Sequence, residues 1–204
     1  QSILAYNGGA VIAMGGKNCV AICSDLRLGV QHQTVAKDFK KIFRINDRVL
    51  VGLTGLATDV ISLDQLLQFK SNMYQFAEHR ELKPDTFAAL LSTLLYEKRF
   101  SPWFCEPVVA GLTEDNKPYI SAMDLLGAPV VTQAFAVSGT CTSNLHGMCE
   151  ALYRPDMEPD ELFEVVAQCL LAAVDRDALS GWGAEVQIIT PEGTITRSLK
   201  TRQD

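Results

Sequence analysis

The sequence lacks several features, and their absence excludes some classes of function before any motif is considered. Its apolar runs, such as those at 19–23, 49–53 and 108–112, are far shorter than the roughly 20 residues that a helix needs to cross a bilayer. This excludes a membrane-spanning helix, and we expect no membrane partner. Basic residues are outnumbered, since 18 lysines and arginines stand against 24 aspartates and glutamates, for a net charge of −6. Nucleic-acid phosphates require a basic face, so we expect no nucleic-acid partner.

Cysteine and histidine lack the spacing of metal or redox sites. The 204 residues include six cysteines and three histidines but no C-x-x-C pair, which leaves zinc and thioredoxin-like sites without support. Most of the cysteines lie in apolar segments, and the chain has neither an N-x-S/T sequon nor a signal-peptide pattern at 1–7. These features predict buried, reduced thiols and a cytoplasmic and nuclear location.

Common catalytic motifs are missing as well. The sequence contains no G-x-x-x-x-G-K-[ST] phosphate loop, no G-x-S-x-G elbow, no H-E-x-x-H pair and no G-x-G-x-x-G after a strand. The histidines are dispersed, so a Ser-His-Asp arrangement has no support. The motifs therefore point to no common class of enzyme.

The residues that are present, 48% hydrophobic and 21% charged, are typical of a globular chain with a large core. Residues 1–204 contain no linker or low-complexity stretch, which predicts one domain. Short apolar segments separated by turn residues predict β-hairpins. The predicted strands are 8–14, 18–24, 41–45, 48–52, 108–112, 119–123, 135–138, 185–190 and 194–199. In the first turn, Gly15 and Gly16 are expected to supply the positive φ.

Apolar residues at helical spacing predict four helices in two pairs. The first helix is expected to have its N-cap at Thr58 or Asp59, and the second to begin near Pro84, because proline suits the first turn of a helix. The third and fourth are predicted at 141–153 and 159–178. Each pair has one apolar stripe and covers one sheet face, while the first strands are apolar on both faces. The prediction is an α+β fold, a four-layer α-β-β-α sandwich of two stacked antiparallel sheets.

Seven short phrases stand out in order along the chain. They are GGAV at 8–11, SDLR at 24–27, KI at 41–42, GLTGLATD at 52–59, YEKRF at 96–100, SGT at 138–140 and DRDALSG at 175–181. Together they resemble the beta subunits of the proteasome core particle. Phrases at 6–11, 95–100 and 147–153 are similar to one type of beta subunit in particular. The resemblance covers nearly the whole chain, and it implies the α-β-β-α sandwich of the N-terminal-nucleophile hydrolases.

The resemblance also implies where a catalytic site would lie. In active family members an N-terminal threonine attacks the peptide carbonyl while its own α-amine acts as the base. An Asp follows sixteen residues later and a Lys sixteen after that, and the ammonium favours deprotonation of the hydroxyl. Asp25 and Lys41 match this spacing, which puts Gly9 at the threonine position. Glycine has no hydroxyl, and if residues 1–8 remain attached as a short N-terminal extension, its nitrogen is an amide.

Other family positions are kept only in part. Thr140 retains the hydroxyl of a family serine, Asp177 and Ser180 match the loop after the last helix, and Trp182 replaces a glycine. Thr140, Asp177 and Ser180, together with Gly9, Asp25 and Lys41, are interpreted as vestigial. Asp25 and Lys41 are expected to form a residual ion pair, and Asp177 to cap or bridge the end of the helix. Ser2 lies seven residues upstream of Gly9, too far along an extended strand to replace the nucleophile.

The function implied is that of a non-catalytic, structural beta subunit in the heteroheptameric ring that encloses the chamber for ATP- and ubiquitin-dependent protein degradation. Its implied partners are the other beta subunits of the same and the opposite ring and the subunits of the alpha rings. Two alternatives stay open: an active N-terminal-nucleophile hydrolase after proteolytic processing, and a homomeric binding module of the same fold.

Two further sites follow from the resemblance. Asp124 is a candidate wall of a neighbouring subunit's substrate pocket, where a carboxylate would favour basic side chains; a solvated carboxylate at a strand end is the alternative. No cofactor is expected to be required. Mg²⁺ at subunit contacts is a further candidate, with oxygen ligands from Val174, Asp177, Ser180 and Asp204.

Overall fold

The computed structural model of the chain describes residues 2–204, so Gln1, the first residue of the predicted extension, lies outside the described residues. Four α-helices follow the sequence in two pairs: α1 (Ala57–Glu78), α2 (Pro84–Glu97), α3 (Thr142–Leu152) and α4 (Pro159–Val174). The strands are β1 (Ala10–Gly16), β2 (Cys19–Asp25), β3 (Leu28–Val30), β4 (Gln33–Ala36), β5 (Ile42–Asn46), β6 (Val49–Gly55), β7 (Cys105–Leu112), β8 (Pro118–Met123), β9 (Pro129–Thr132), β10 (Phe135–Gly139), β11 (Ala184–Thr190) and β12 (Gly193–Leu199). A short 3-10 helix, Ile3–Ala5, precedes them.

Two five-stranded antiparallel sheets form the centre of the molecule. The first has the strand order β10-β1-β2-β11-β12, and the second has the order β5-β6-β7-β8-β9. Every residue of β1 and β2 is buried, because this sheet is covered on one face by helices and on the other by the second sheet. The short β3–β4 hairpin forms a separate two-stranded sheet.

Three layers of apolar side chains hold the four layers of secondary structure together. Residues of β1 and β2, such as Ile12, pack against α3 and α4 through Leu145 and Leu170. Residues of α1 and α2, such as Leu63 and Leu91, pack on the second sheet. Side chains from both sheets meet in the middle layer; they include Val11, Ile22, Leu50, Val108 and Ile120. The predicted α-β-β-α sandwich of antiparallel sheets is confirmed.

The turn between β1 and β2 has a different cause from the predicted one. Asn18 holds the positive φ, at 53°, so the prediction that Gly15 and Gly16 supply it is wrong. The two glycines are needed for close approach instead. A Cβ on Gly15 would lie 2.1 Å from the carbonyl oxygen of Gln133, and one on Gly16 would lie 2.6 Å from that of Met157.

Helix boundaries also differ from the predictions. The N-cap of α1 is Leu56, which makes no side-chain capping bond, so neither Thr58 nor Asp59 is the cap. The Asp59 carboxylate instead accepts a bond from the Phe104 amide. The last helix ends at Val174 rather than at Ala178. No helix within residues 2–204 combines the length and the apolar character needed to span a membrane.

Candidate functional site

Gly9 lies immediately before β1, and the space beside its Cα is already filled. Its φ of +141° is rarely adopted by residues with side chains, and a Cβ there would lie 2.7 Å from Cε of Lys41 and 3.6 Å from Oδ1 of Asp25. Real Cβ atoms essentially never approach another heavy atom so closely. The sequence predicts only that position 9 carries no nucleophile. The structure adds that Lys41 occupies the place where a side chain would begin.

Asp25 and Lys41 form the predicted ion pair at the end of β2 and the start of β5. Nζ of Lys41 lies 2.9 Å from Oδ1 of Asp25, and the two side chains are 3% and 0% exposed. Nζ also donates to the carbonyl of Arg27 at 2.8 Å. Burial lowers the pKa of Lys41, while the carboxylate of Asp25 opposes that shift. The lysine therefore makes a full set of contacts inside the protein.

The carboxylate of Asp25 joins two further segments. Its Oδ1 accepts a hydrogen bond from the amide of Ala10 at 3.0 Å, and its Oδ2 accepts one from the amide of Gly181 at 3.0 Å. The pair thus ties β1, β2, β5 and the loop after α4 to one another.

Thr140, Asp177 and Ser180 come together on the other side of Gly9. Oδ2 of Asp177 accepts hydrogen bonds from the hydroxyls of Thr140 at 2.5 Å and Ser180 at 2.6 Å. The amide of Thr140 donates to the Gly9 carbonyl at 2.9 Å. Asp177 also accepts from the amide of Leu179, so its carboxylate joins residues of the loop after α4 rather than the helix end that it was predicted to cap or bridge. All six predicted positions therefore surround one point of the fold.

Arg27 is a central residue of the site that the sequence analysis missed. Its side chain is 1% exposed, and its guanidinium donates to Thr34 Oγ1 at 3.0 Å and to the carbonyls of Leu179 and Gln31 at 2.9 Å. Burial lowers the pKa of Arg27, and Asp25 and Asp177 act in the opposite direction. A Cβ at Gly29 would lie 2.3 Å from this guanidinium. An arginine in the short connection between β2 and β3 carries no sequence signal for burial.

Trp182 gives the loop after α4 its own shape. The residue has a φ of 59°, so it keeps a positive φ although the family glycine is replaced. The ammonium of Lys37 lies 4.1 Å from the centre of its ring, a distance typical of a cation–π contact. The tryptophan therefore packs the loop against the segment after β4.

Asp124 follows β8 and is exposed. Its Oδ1 accepts hydrogen bonds from the amides of Leu126 and Ala128, both at 2.9 Å. One oxygen thus closes the turn between β8 and β9, as expected of an aspartate in a turn. The charge stays at the surface, close enough to Glu106 to contribute to the raised pKa of that residue after the larger effect of burial.

The candidate Mg²⁺ ligands line one small cavity of about 50 Å³. Their carboxylates, however, already have partners: Asp177 accepts from two hydroxyls, and Asp204 binds the guanidinium of Arg202 at 2.8 and 3.1 Å. Arg202 lines the same cavity, and its positive charge opposes a cation there. In this arrangement the residues present do not fit a divalent ion.

Known proteins resemble this chain along its whole length. A family model described as "Proteasome subunit" matches residues 5–189. The chain is 57% identical to "Proteasome subunit beta type-3-A" of Arabidopsis thaliana and 56% identical to "Proteasome subunit beta type-3" of Picea mariana, each over 204 residues. It is 54% identical over 205 residues to "Proteasome subunit beta type-3" of Drosophila melanogaster. Each alignment covers 100% of both sequences.

Proposed function

This chain belongs to the proteasome subunit family, and we propose that it is a non-catalytic, structural beta subunit of type 3. In this function it forms part of the heteroheptameric beta ring that encloses the chamber in which proteins are degraded. It shapes that chamber and cuts no peptide bond itself. Its full-length similarity to type-3 subunits of plants and an insect supports the assignment.

The relationship between Gly9 and Lys41 carries the non-catalytic part of this proposal. Nucleophilic hydrolysis in this family needs a hydroxyl on the residue at that position and a free amine as its base. Position 9 has no side chain, and Cε of Lys41 lies 2.7 Å from where a Cβ would be. The amide nitrogen of Gly9 lies within the chain, after Gly8. Both groups that the reaction requires are therefore missing from the polypeptide as described.

Exposed apolar side chains on α1 support assembly with other subunits. Ile61, Phe69, Met73 and Phe76 are all exposed, Phe76 by 85%, and they lie within an arc of about 120° at 3.6 residues per turn. Val130 and Val131 are exposed on the edge strand β9. A monomer tolerates such apolar faces poorly. As partners we propose other beta subunits of the same and the opposite ring and subunits of the alpha ring.

The remaining parts of the proposal concern charge and location. With Oδ1 of Asp124 held in its turn, its surface charge is available to a neighbouring subunit's pocket, where it would favour basic substrate side chains. The six cysteines, all within residues 2–204, are free and buried, which supports a reducing location in cytoplasm and nucleus. No cofactor is needed for a structural function. Mg²⁺ binding at the loop after α4 would require Asp204 to release Arg202, and isothermal titration of the purified particle with MgCl₂ would test it.

The proposal is tested by purifying the tagged full chain natively from a eukaryotic cell and identifying the chains that accompany it. We expect it in a large particle with other proteasome subunits, and intact mass measurement should show Gly9 within the chain. An electrophilic reagent directed at N-terminal threonines should label other subunits and leave this one unmodified. Recovery as a free monomer or a homo-oligomer would contradict the structural assignment, and covalent capture of this chain would support the alternative of a processed hydrolase.

A further inference from the structure

Residues Ser2–Gly8, the strap, cross the cleft that lies beside Gly9 between β3 at Gly29 and the start of α1 at Ala57, and they are hydrogen-bonded to both sides of it. The side chain of Asn7 is central to this. Its Nδ2 donates to the carbonyl of Gly29 on β3 at 2.8 Å, and its Oδ1 accepts from the amide of Ala57 at the start of α1 at 2.8 Å. Asn7 is 8% exposed. One carboxamide therefore links the two walls of the cleft.

The strap also pairs through its backbone. The carbonyl of Tyr6 accepts a hydrogen bond from the amide of Gln31 at 2.8 Å, and the guanidinium of Arg27 donates to the carbonyl of Asn7 at 3.3 Å. A carboxamide offers the same donor and acceptor as a peptide group. Asn7 and Tyr6 thus satisfy backbone groups to which an extended peptide would otherwise pair as an added strand.

The strap leaves little room beneath it. A cavity of about 150 Å³ remains, between Ser2, Leu4 and Ala5 of the strap and a wall that includes Glu106 and Thr140. Ligand clefts are usually about 300–1,000 Å³. At the end of the strap, Gly8 has a φ of +73°, and a Cβ there would lie 2.0 Å from the carbonyl oxygen of Leu179. The strap is therefore held against the loop after α4 as well.

The same contacts stabilise α1. The N-cap residue of this helix, Leu56, makes no side-chain capping bond, and free amides at a helix start need an acceptor. Asn7 supplies one from fifty residues away. Opening the strap would therefore expose the amide of Ala57 as well as the cleft.

We propose that the strap is a built-in plug that keeps the cleft closed to extended peptides. Closure by the strap is a second barrier, independent of the missing hydroxyl at position 9. The inference rests on the proposed function in one respect: only a subunit without a substrate of its own can keep this cleft filled. In an assembly that degrades unfolded chains, an open cleft on a non-catalytic subunit would bind those chains without cleaving them, and the strap prevents this.

The test uses a reporter thiol under the strap, in the full chain as purified. Thr140→Cys places a thiol in the cavity wall, and the six native cysteines are buried. Labelling by a small maleimide is then timed with Asn7 intact, with Asn7→Ala and with Asn7→Asp. Asn72→Ala is the matched control, because Asn72 is exposed on α1. With two hydrogen bonds lost, we expect Asn7→Ala to speed labelling roughly tenfold or more.

The charged variant adds repulsion at one of the two contacts. Asn7→Asp keeps an acceptor for the amide of Ala57 but sets a buried negative charge against the carbonyl of Gly29, so its labelling rate should exceed that of the native strap, and a rate equal to that of the native strap would overturn the proposal. Equal rates for the intact strap and Asn7→Ala would overturn the proposal. We expect Asn72→Ala to leave the labelling rate unchanged. A rise in the rate equal to that caused by Asn7→Ala would also overturn the proposal.

A second measurement does not depend on any variant. In the unmodified chain, hydrogen exchange at the amides of Gln31 and Ala57 should be slow, because both donate to the strap. Fast exchange at both amides would overturn the plug even if Asn7→Ala did not fold. Failure of the proposed function is seen elsewhere, in co-purification and in capture by threonine-directed reagents. A chain that assembles normally with an open strap would refute the plug alone.

Discussion

Nζ of Lys41 and Oδ1 of Asp25 lie 2.9 Å apart, with both side chains almost fully buried. Removing one member of a buried pair leaves the other charge without compensation. We expect Lys41→Met to lower the free energy of unfolding by about 3–5 kcal/mol, and Asp25→Asn with Lys41→Met to cost less than the two single changes together. Denaturant unfolding measures this. Lys17→Met is the control, since its pair with Glu158 is exposed, and an equal loss in both variants would contradict a structural role for the buried pair.

Restoring a threonine at position 9 should not restore hydrolysis. Gly9→Thr forces a side chain into a φ of +141° and against Lys41, and strain at such a φ alone costs about 1–3 kcal/mol. We expect lower stability and no adduct with an electrophilic threonine reagent by intact mass.

Variants of two other glycines separate the two causes of the lower stability, which are backbone strain and the contact with Lys41. Gly193 has a φ of +144°, and apart from its two chain neighbours no residue within 2–204 has an atom within 4 Å of a Cβ there, so Gly193→Ala measures the strain of the backbone alone. Gly147, in α3, has the same open surroundings without a positive φ, and Gly147→Ala should stabilise the chain by about 0.5–1 kcal/mol. If Gly9→Thr is no more costly than Gly193→Ala, the contact with Lys41 is unimportant.

The cysteines should be inert in the folded chain. Burial raises the pKa of Cys19 to about 11 and the pKa values of Cys105 and Cys141 to about 12, and the thiolate is the reactive form. At pH 8 we expect a chromogenic disulfide reagent to find no reactive thiol in the native chain and all six after denaturation. Rapid labelling of a native thiol would show that its segment opens readily.

Glu106 should make stability depend on pH. Burial, with a smaller contribution from Asp124, raises its pKa above the ordinary value of 4.5. The folded chain favours the protonated form of the Glu106 carboxyl. The stability that this form contributes is present below pH 4.5 and is lost as the pH rises through the pKa that Glu106 has in the folded chain. We therefore expect Glu106→Gln to raise the melting temperature relative to the native chain at pH 7 and much less at pH 4. If the difference in melting temperature did not change with pH, titration of Glu106 would be excluded as its cause.

Asp124→Asn tests the proposed pocket wall within the assembled particle. The amide oxygen of asparagine can still accept from Leu126 and Ala128, so only the charge is removed. We expect the particle's kcat/KM for peptides cleaved after basic residues to fall about two- to tenfold, the range from an exposed to a desolvated charge pair. Cleavage after apolar residues should not change. Asp115→Asn, in the exposed turn between β7 and β8, is the control, and an equal effect of both changes would refute the assignment.

Much of the fold is predictable from sequence because its strands and helices are long and strongly patterned. The strands β1 and β2 are apolar on both faces, and the structure buries them completely. The hairpin of β3 and β4 was not predicted, because these strands have three and four residues and are largely exposed. Its position depends on Arg27, whose contacts with Gln31 and Thr34 follow no local pattern.

The site was predictable only where family spacing marks it. Asp25 and Lys41 were found by their separation along the chain, and the structure pairs them. Asn7 gave no such signal, because its partners Gly29 and Ala57 are 22 and 50 residues away. Contacts of this kind depend on tertiary structure, so composition and periodicity do not contain them.

The order of strands in the two sheets affects how the chain acquires its structure during synthesis. The sheet β5-β6-β7-β8-β9 comes from one continuous stretch of sequence, 42–132, and its neighbours are complete before the rest has been translated. In the other sheet, β2 pairs with β11 across about 160 residues, so the strands made first wait until 184–190 have left the ribosome. Long-range pairing of this kind is slow and leaves apolar strands exposed in the meantime. The nascent chain is therefore expected to need a chaperone until its C-terminal strands emerge.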